Sequence, residues 1–153
     1  MFHVVLVAPE IAPNTGNIAR TCAVTGARLH LVRPLGFRLS DRMLKRAGLD
    51  YWQYVDWTVH DTWEELLAAL PGARFCYLDP KGDRRYTEMA FAPGDALVFG
   101  SESRGLPEEL PRRRPGPCLR VPMRPGRRSL NLASTVALVL YEAYRQHGFP
   151  GMV

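Results

Sequence analysis

Six short apolar runs alternate with helical segments along this chain, and that alternation most limits what it can fold into. The runs are Phe2–Val7, Arg28–Val32, Tyr54–Val59, Phe75–Leu78, Ala96–Phe99 and Cys118–Val121. Their length and their β-branched and aromatic content predict strands. Between them the sequence predicts helices over Thr15–Thr25, with Asn14 a candidate N-cap and Gly26 the stop, and a short one through Ala47, with Ser40 a candidate cap and Gly48 the stop. Asp61 and Glu64 have capping-box spacing ahead of a third helix, Trp63–Leu70, which Pro71-Gly72 ends. A short helix is expected near Pro107 and a long one over Leu130–Gln146, with Pro111–Pro117 as a loop. Strands and helices in this order predict a three-layer α/β/α fold with a mostly parallel sheet, residues 1–153 forming a single domain.

In open α/β sheets, ligands sit where the carboxyl ends of the strands meet the loops. Three loops here carry far more specific polar groups than turning the chain requires. They are Pro9–Arg20, Val98–Pro107 and Val121–Ala133, each combining glycine, proline, amide or hydroxyl groups with arginine. One composite site built from all three is the expectation.

Charge points to the partner. The net charge is +5, yet Arg104–Arg128 alone carries +6, from eight arginines against Glu108 and Glu109. Clustered guanidinium groups match phosphate oxygens, so a nucleic acid is the expected partner, with a solvated arginine-rich surface as the competing reading, and Arg112, Arg113, Arg114, Arg124, Arg127 and Arg128 are the candidate phosphate contacts. No apolar run approaches the roughly 20 residues of a membrane span. The first residues, Met1-Phe2-His3-Val4-Val5, lack a signal-peptide pattern. Cys22, Cys76 and Cys118 are odd in number and far apart, as in a reduced cytoplasmic protein. The long last helix is apolar on nearly every face, including Val136, Val139, Leu140 and Ala143. Such a helix needs cover on all sides, so a homodimer through it is expected.

Several chemistries are disfavoured. There is no Gly-x-Gly-x-x-Gly after a strand and no P-loop signature. His3, His30, His60 and His147 lack metal-ligand spacing, and His30, inside a strand, reads as a packed residue; no metal is expected. Gly100-Ser101-Glu102-Ser103 is not a serine-hydrolase elbow.

Three ordered motifs carry a resemblance. Asn14-x-Gly16-x-x-x-Arg20, Gly100-x-Glu102-x-x-Gly105 and Ser129-Leu130-Asn131-Leu132, the last opening an apolar helix with Tyr141-Glu142, resemble the SPOUT superfamily of knotted RNA methyltransferases. With Phe37, Arg46–Tyr51 and Gly148–Gly151, the chain is similar throughout to the small tRNA wobble-ribose 2′-O-methyltransferases of the TrmL (YibK) type. Ala133 followed by Ser134 departs slightly from the serine those relatives often carry after Asn-Leu.

The resemblance implies a C-terminal deep trefoil knot, which general topology rules disfavour. It implies S-adenosylmethionine as cofactor, with S-adenosylhomocysteine as product, held at Leu78, Gly100, Val121, Met123, Ser129 and Leu130. Plain core packing is the competing reading for Leu78 and Val121. The implied reaction is methylation of the ribose 2′-hydroxyl of the wobble cytidine or modified uridine in tRNA, with leucine tRNAs as expected substrates. The alternatives are ribose methylation of another RNA, such as rRNA, and a non-catalytic RNA-binding or assembly factor. Arg20 leads the catalytic candidates, with Asn14, Glu102, Ser129 and Asn131. Arginine is a poor base because its pKa exceeds about 12, so Arg20 is read as positioning or stabilising charge. Glu102 could hold an arginine, accept a proton or cap the helix that follows it. Ser129 and Asn131 could be caps, ligands or both.

Overall fold

A computed structural model describes the backbone of all 153 residues and the side chains at every position except 45 and 48–50. The Gly48-Leu49-Asp50 part of the Arg46–Tyr51 motif therefore lies outside the described side chains. Strands β1 (His3–Val7), β2 (Arg28–Val32), β3 (Trp57–His60), β4 (Phe75–Leu78), β5 (Arg84–Arg85), β6 (Ala96–Phe99) and β7 (Cys118–Arg120) form one sheet. Its order is β3-β2-β1-β6-β4-β7-β5, and every pairing is parallel. β1, β4 and β6 are buried along their whole length, as central strands covered on both faces must be.

Helices α1 (Ala12–Thr25) and α5 (Leu132–Arg145) cover one face; α3 (Trp63–Ala69) and α4 (Glu109–Arg113) cover the other. Val4, Leu6, Ile18, Cys22, Val136, Val139 and Leu140 meet on the first side, and Val5, Val7, Trp63, Leu66 and Leu110 on the second. Helix α2 (Arg42–Gly48) runs into a 3-10 turn, Leu49–Tyr54, and both pack on α1.

Several local expectations are corrected. α1 starts at Ala12 rather than Thr15, so Asn14 lies in its first turn and is not its N-cap. Pro13 fits there because a first-turn residue needs no intrahelical N–H bond. Gly26 does end α1, at φ 80° with its N–H on the Cys22 carbonyl. α2 starts two residues after Ser40, with the Asp41 carboxylate accepting from Met43 N–H, and Gly48 is its last residue, the chain then continuing as the 3-10 turn. The capping pair of α3 is shifted by one: Thr62 Oγ accepts from Glu65 N–H, and Glu65 accepts from Asp61 N–H. α4 occupies part of the stretch read as a loop, since Pro111 also falls in a first turn. β5 had no apolar signature to reveal it.

The last helix changes most. Val136, Val139, Leu140 and Ala143 are fully buried within one chain, against the sheet and α1. They are not the free face of a dimer. Leu138 and Tyr141 are the apolar residues of α5 left exposed.

Candidate active site

β1 and β6 are parallel neighbours, so the loops after their carboxyl ends lie side by side. The start of α1 has no capping side chain of its own. Glu102, from the loop after β6, fills that role. Its carboxylate accepts from the N–H groups of Glu10 (2.9 Å) and Ile11 (2.8 Å). An anion at a helix N-terminus is favoured by the helix dipole. Glu102 thus caps α1, not the helix that follows it, and no described arginine pairs with it. Glu10 returns the contact, its carboxylate accepting from Ser103 Oγ at 2.6 Å and Ser103 N–H at 3.2 Å. These hydrogen bonds, first of all from the Ser103 and Ser101 side chains, hold the Glu10 carboxyl below its ordinary pKa.

The third motif joins through two amides. Asn14 Nδ2 donates to Glu102 at 3.3 Å, and Asn14 Oδ1 accepts from Asn131 Nδ2 at 3.1 Å. Asn131 is the N-cap of α5, accepting from Ser134 N–H. A continuous chain, Glu102–Asn14–Asn131, therefore ties together the three segments singled out from the sequence. The amide orientations follow from this network.

Gly100 is needed where its loop folds back on itself. A Cβ there would stand 2.0 Å from the Gly105 carbonyl carbon, so the close approach is loop backbone on loop backbone. Gly105 sits at φ 67°, where an L side chain is strained, and bridges to Ser101.

A pocket of about 390 Å³ opens beyond the carboxyl end of β7. Val121, Pro122 and Met123 line it with Pro80, and Arg85, Arg120, Arg124, Arg127 and Arg128 surround it. An apolar wall at Pro80, Val121 and Met123 inside a ring of arginines suits a flat ligand with an anionic tail. Of the expected cofactor residues, Val121 and Met123 line the pocket. Leu78 is only 7% exposed and packs in the core, Gly100 is enclosed by its own loop, and Ser129 and Leu130 are exposed on the approach to α5.

Arg20 is exposed on α1, its guanidinium carbon 4.9 Å from the centre of the Tyr51 ring. It is not part of the Glu102–Asn14–Asn131 chain. Arg124, Arg127 and Arg128 stand at the pocket. Arg112–Arg114 do not: Arg114 donates to the Pro71 and Ala73 carbonyls and lies over Phe75, at the amino end of β4. Arg113 pairs with Glu64, and Arg112 lies 4.0 Å from Glu108. Arg114 thus lies at the end of the sheet opposite Arg124, Arg127 and Arg128.

Glu10, Arg85 and Arg120 escaped sequence reasoning. Tyr51 stood in a quoted motif without a role. A buried series of histidines was also missed: His3 Nδ1 to His30 Nε2, and His30 Nδ1 to His60 Nε2, each 3.0 Å. Only strand pairing brings them together.

A family model described as the SpoU rRNA Methylase family matches residues 1–141. This chain belongs to that family. Among SpoU relatives, the tRNA (cytidine(34)-2′-O)-methyltransferase of Methylovorus glucosotrophus (strain SIP3-4) is 56% identical over 154 residues, covering all of both chains. A structure concerned with 2-OH methylation of C/U34 on tRNA has a TM-score of 0.92 and 53% identity, covering 97% of each chain. An AdoMet-bound rRNA methyltransferase from Sinorhizobium meliloti has a TM-score of 0.84 at 26% identity, over 94% of this chain and 56% of that one.

Proposed function

We propose that this chain is a tRNA 2′-O-ribose methyltransferase that uses S-adenosylmethionine to methylate the wobble cytidine or uridine. The observation that carries the reading is the Glu102–Asn14–Asn131 chain, which ties together the three motif loops, the third of which, Val121–Ala133, also lines the pocket. The names of its close full-length relatives support the same substrate. When bound, S-adenosylmethionine supplies a methyl group already activated by its sulfonium.

The residues divide the remaining work. Val121 and Met123, which line the pocket, would wall the adenine of the bound cofactor, and the turn at Gly100 keeps the loop after β6 closed on itself. Ser129 and Leu130 lie at the approach to the same site. Asn14, held on both sides, presents its amide group at fixed geometry for the substrate ribose. Arg20 bears on the ribose hydroxyl or its flanking phosphate as charge develops. Arg124, Arg127 and Arg128 neutralise RNA phosphates at the pocket rim, with Arg112–Arg114 as a remote second contact at most.

The reading extends to one domain over residues 1–153 with a C-terminal trefoil knot. What supports the knot is the 79–95 connection. It passes β7 with Gly82 against the Leu119 backbone, pairs β5 outside β7, and is tied to the end of α5 by Gln146 on Met89 and Phe91. It extends also to a cytoplasmic homodimer, now on the exposed residues Leu138 and Tyr141 of α5 and Val24 of α1. Tritiated methyl transfer from S-adenosylmethionine to total tRNA, followed by nucleoside mapping, tests the reading. Label on the wobble ribose is the expected result; label elsewhere in the tRNA alone, or none, overturns it.

A further inference from the structure

Arg20 reaches out of α1 without joining the network below it, and among the described residues one contact sets its direction: the face of Tyr51. Tyr51 is itself well placed to hold a direction. Its 3-10 turn is anchored by Val55, which is buried, and by Trp52, which packs on the core and donates to the Leu44 carbonyl at 3.4 Å. Leu44, also buried, belongs to α2, which packs along α1. The ring therefore sits on a support braced against the same helix that carries Arg20.

The choice of an aromatic face has a chemical consequence. A carboxylate would bind the guanidinium through its N–H edge and occupy donors. A ring binds the flat face and leaves the planar fork of five N–H donors open. A flexible side chain is then oriented without spending the groups that recognise an oxyanion or phosphate.

We propose that Tyr51 is a positioning residue for the reaction, stacking beneath Arg20 so that its donor edge faces the RNA ribose-phosphate. This rests on the reading of Arg20 as a catalytic group, so the experiment is built to separate the two. Turnover on tRNA is measured at saturating S-adenosylmethionine for Tyr51→Phe, Tyr51→Leu, Arg20→Ala and Tyr51→Leu/Arg20→Ala. In parallel, S-adenosylhomocysteine affinity and the Arg20 Nε–H resonance are recorded.

A ring is what matters, so Tyr51→Phe is expected to keep turnover within about twofold, and Tyr51→Leu to lose roughly 5- to 30-fold in kcat, the upper part of the range of a cation–π contact, reached when bound RNA excludes water from it. Cofactor affinity stays unchanged in both. The Nε–H resonance shows a ring-current shift in the wild type and Tyr51→Phe and loses it in Tyr51→Leu. Once Arg20 is alanine, removing the ring has no further effect on turnover. If Tyr51→Leu lowers kcat equally in both backgrounds, or if Phe is as poor as Leu, Tyr51 acts through packing and the inference falls while Arg20 stands. If Arg20→Ala turns over normally, the reading of Arg20 falls and this inference with it. Should Tyr51→Leu fold poorly, the Phe variant and Tyr51→His, each retaining a ring, carry the same comparison: loss of turnover in both, with Arg20→Ala impaired, overturns the inference.

Discussion

Acid should unfold this protein from an unusual place. His3, His30 and His60 are hydrogen-bonded in series on the face of the sheet covered by α3, and all three are buried. Each ring nitrogen between them pairs with another ring, which a charged imidazolium disrupts. Burial, and then the neighbouring His3, His60 and Arg28 charges, push His30 down to about 3. His3 is lowered by burial first and then by Arg28 and the N-terminus, with Asp56 opposing. His60 is lowered by burial, with Glu65 opposing. The folded pKa values thus lie below the unfolded value of about 6.5, so the unfolded chain takes up protons first. Stability is complete above pH 6.5 and is lost as pH falls toward 3.

For His30 alone, the drop from pH 7.5 to 5.0 amounts to about 2 kcal/mol, at about 1.4 kcal/mol per pH unit below 6.5. His3 and His60 add in the same direction. That is a sizeable part of the roughly 5–15 kcal/mol that stabilises a domain. Urea unfolding across this pH range, above the range where ordinary carboxylates titrate, measures it. His30→Gln keeps a donor and an acceptor without titrating, and should remove about one proton from the slope. Wild-type stability constant to within about 0.5 kcal/mol, or an unchanged slope in His30→Gln, would refute the reasoning.

The two faces of α5 should separate cleanly: Val139→Asp, at a site with no exposure, is expected to abolish folding or yield aggregate, whereas Leu138→Glu should stay folded and sediment as a monomer. A folded Val139→Asp protein would contradict the burial, and an unchanged wild-type-like dimer in Leu138→Glu would move the interface elsewhere. Gly100→Ala forces a Cβ against the Gly105 backbone, which cannot swing aside, and should cost roughly 1–3 kcal/mol in urea unfolding; a melt matching the wild type would disprove the close approach. Replacing Arg124, Arg127 and Arg128 by alanine should flatten the salt dependence of tRNA binding by roughly 0.7–0.9 per lost contact. Replacing Arg112–Arg114 should mainly lower stability, because Arg114 holds the Pro71 and Ala73 carbonyls; equal salt slopes for the two triplets would show that both meet RNA.

Much of this protein is written locally. Strands such as Phe75–Leu78 and Ala96–Phe99 are short apolar runs bounded by breakers, so their identity and extent follow from a few neighbours. Gly26 ends α1 because its backbone can adopt a left-handed turn there, which needs no tertiary partner. The three motif loops are legible for the same reason: each combines residue types that a plain turn does not need. What the sequence by itself could not determine is which groups those residues meet. Glu102 caps a helix 91 residues earlier in the chain, and Asn14 turns from a candidate cap into a link to Asn131, because parallel pairing of β1 with β6 sets their loops side by side. His3, His30 and His60 become one buried series only when β1, β2 and β3 align. α5 reads as too apolar for one small chain until the sheet and α1 cover Val139 and Leu140. Periodicity and capping act over a few residues, whereas capping across loops, burial of a helix face and the separation of Arg114 from the pocket arginines depend on contacts between distant segments, which only the folded chain supplies.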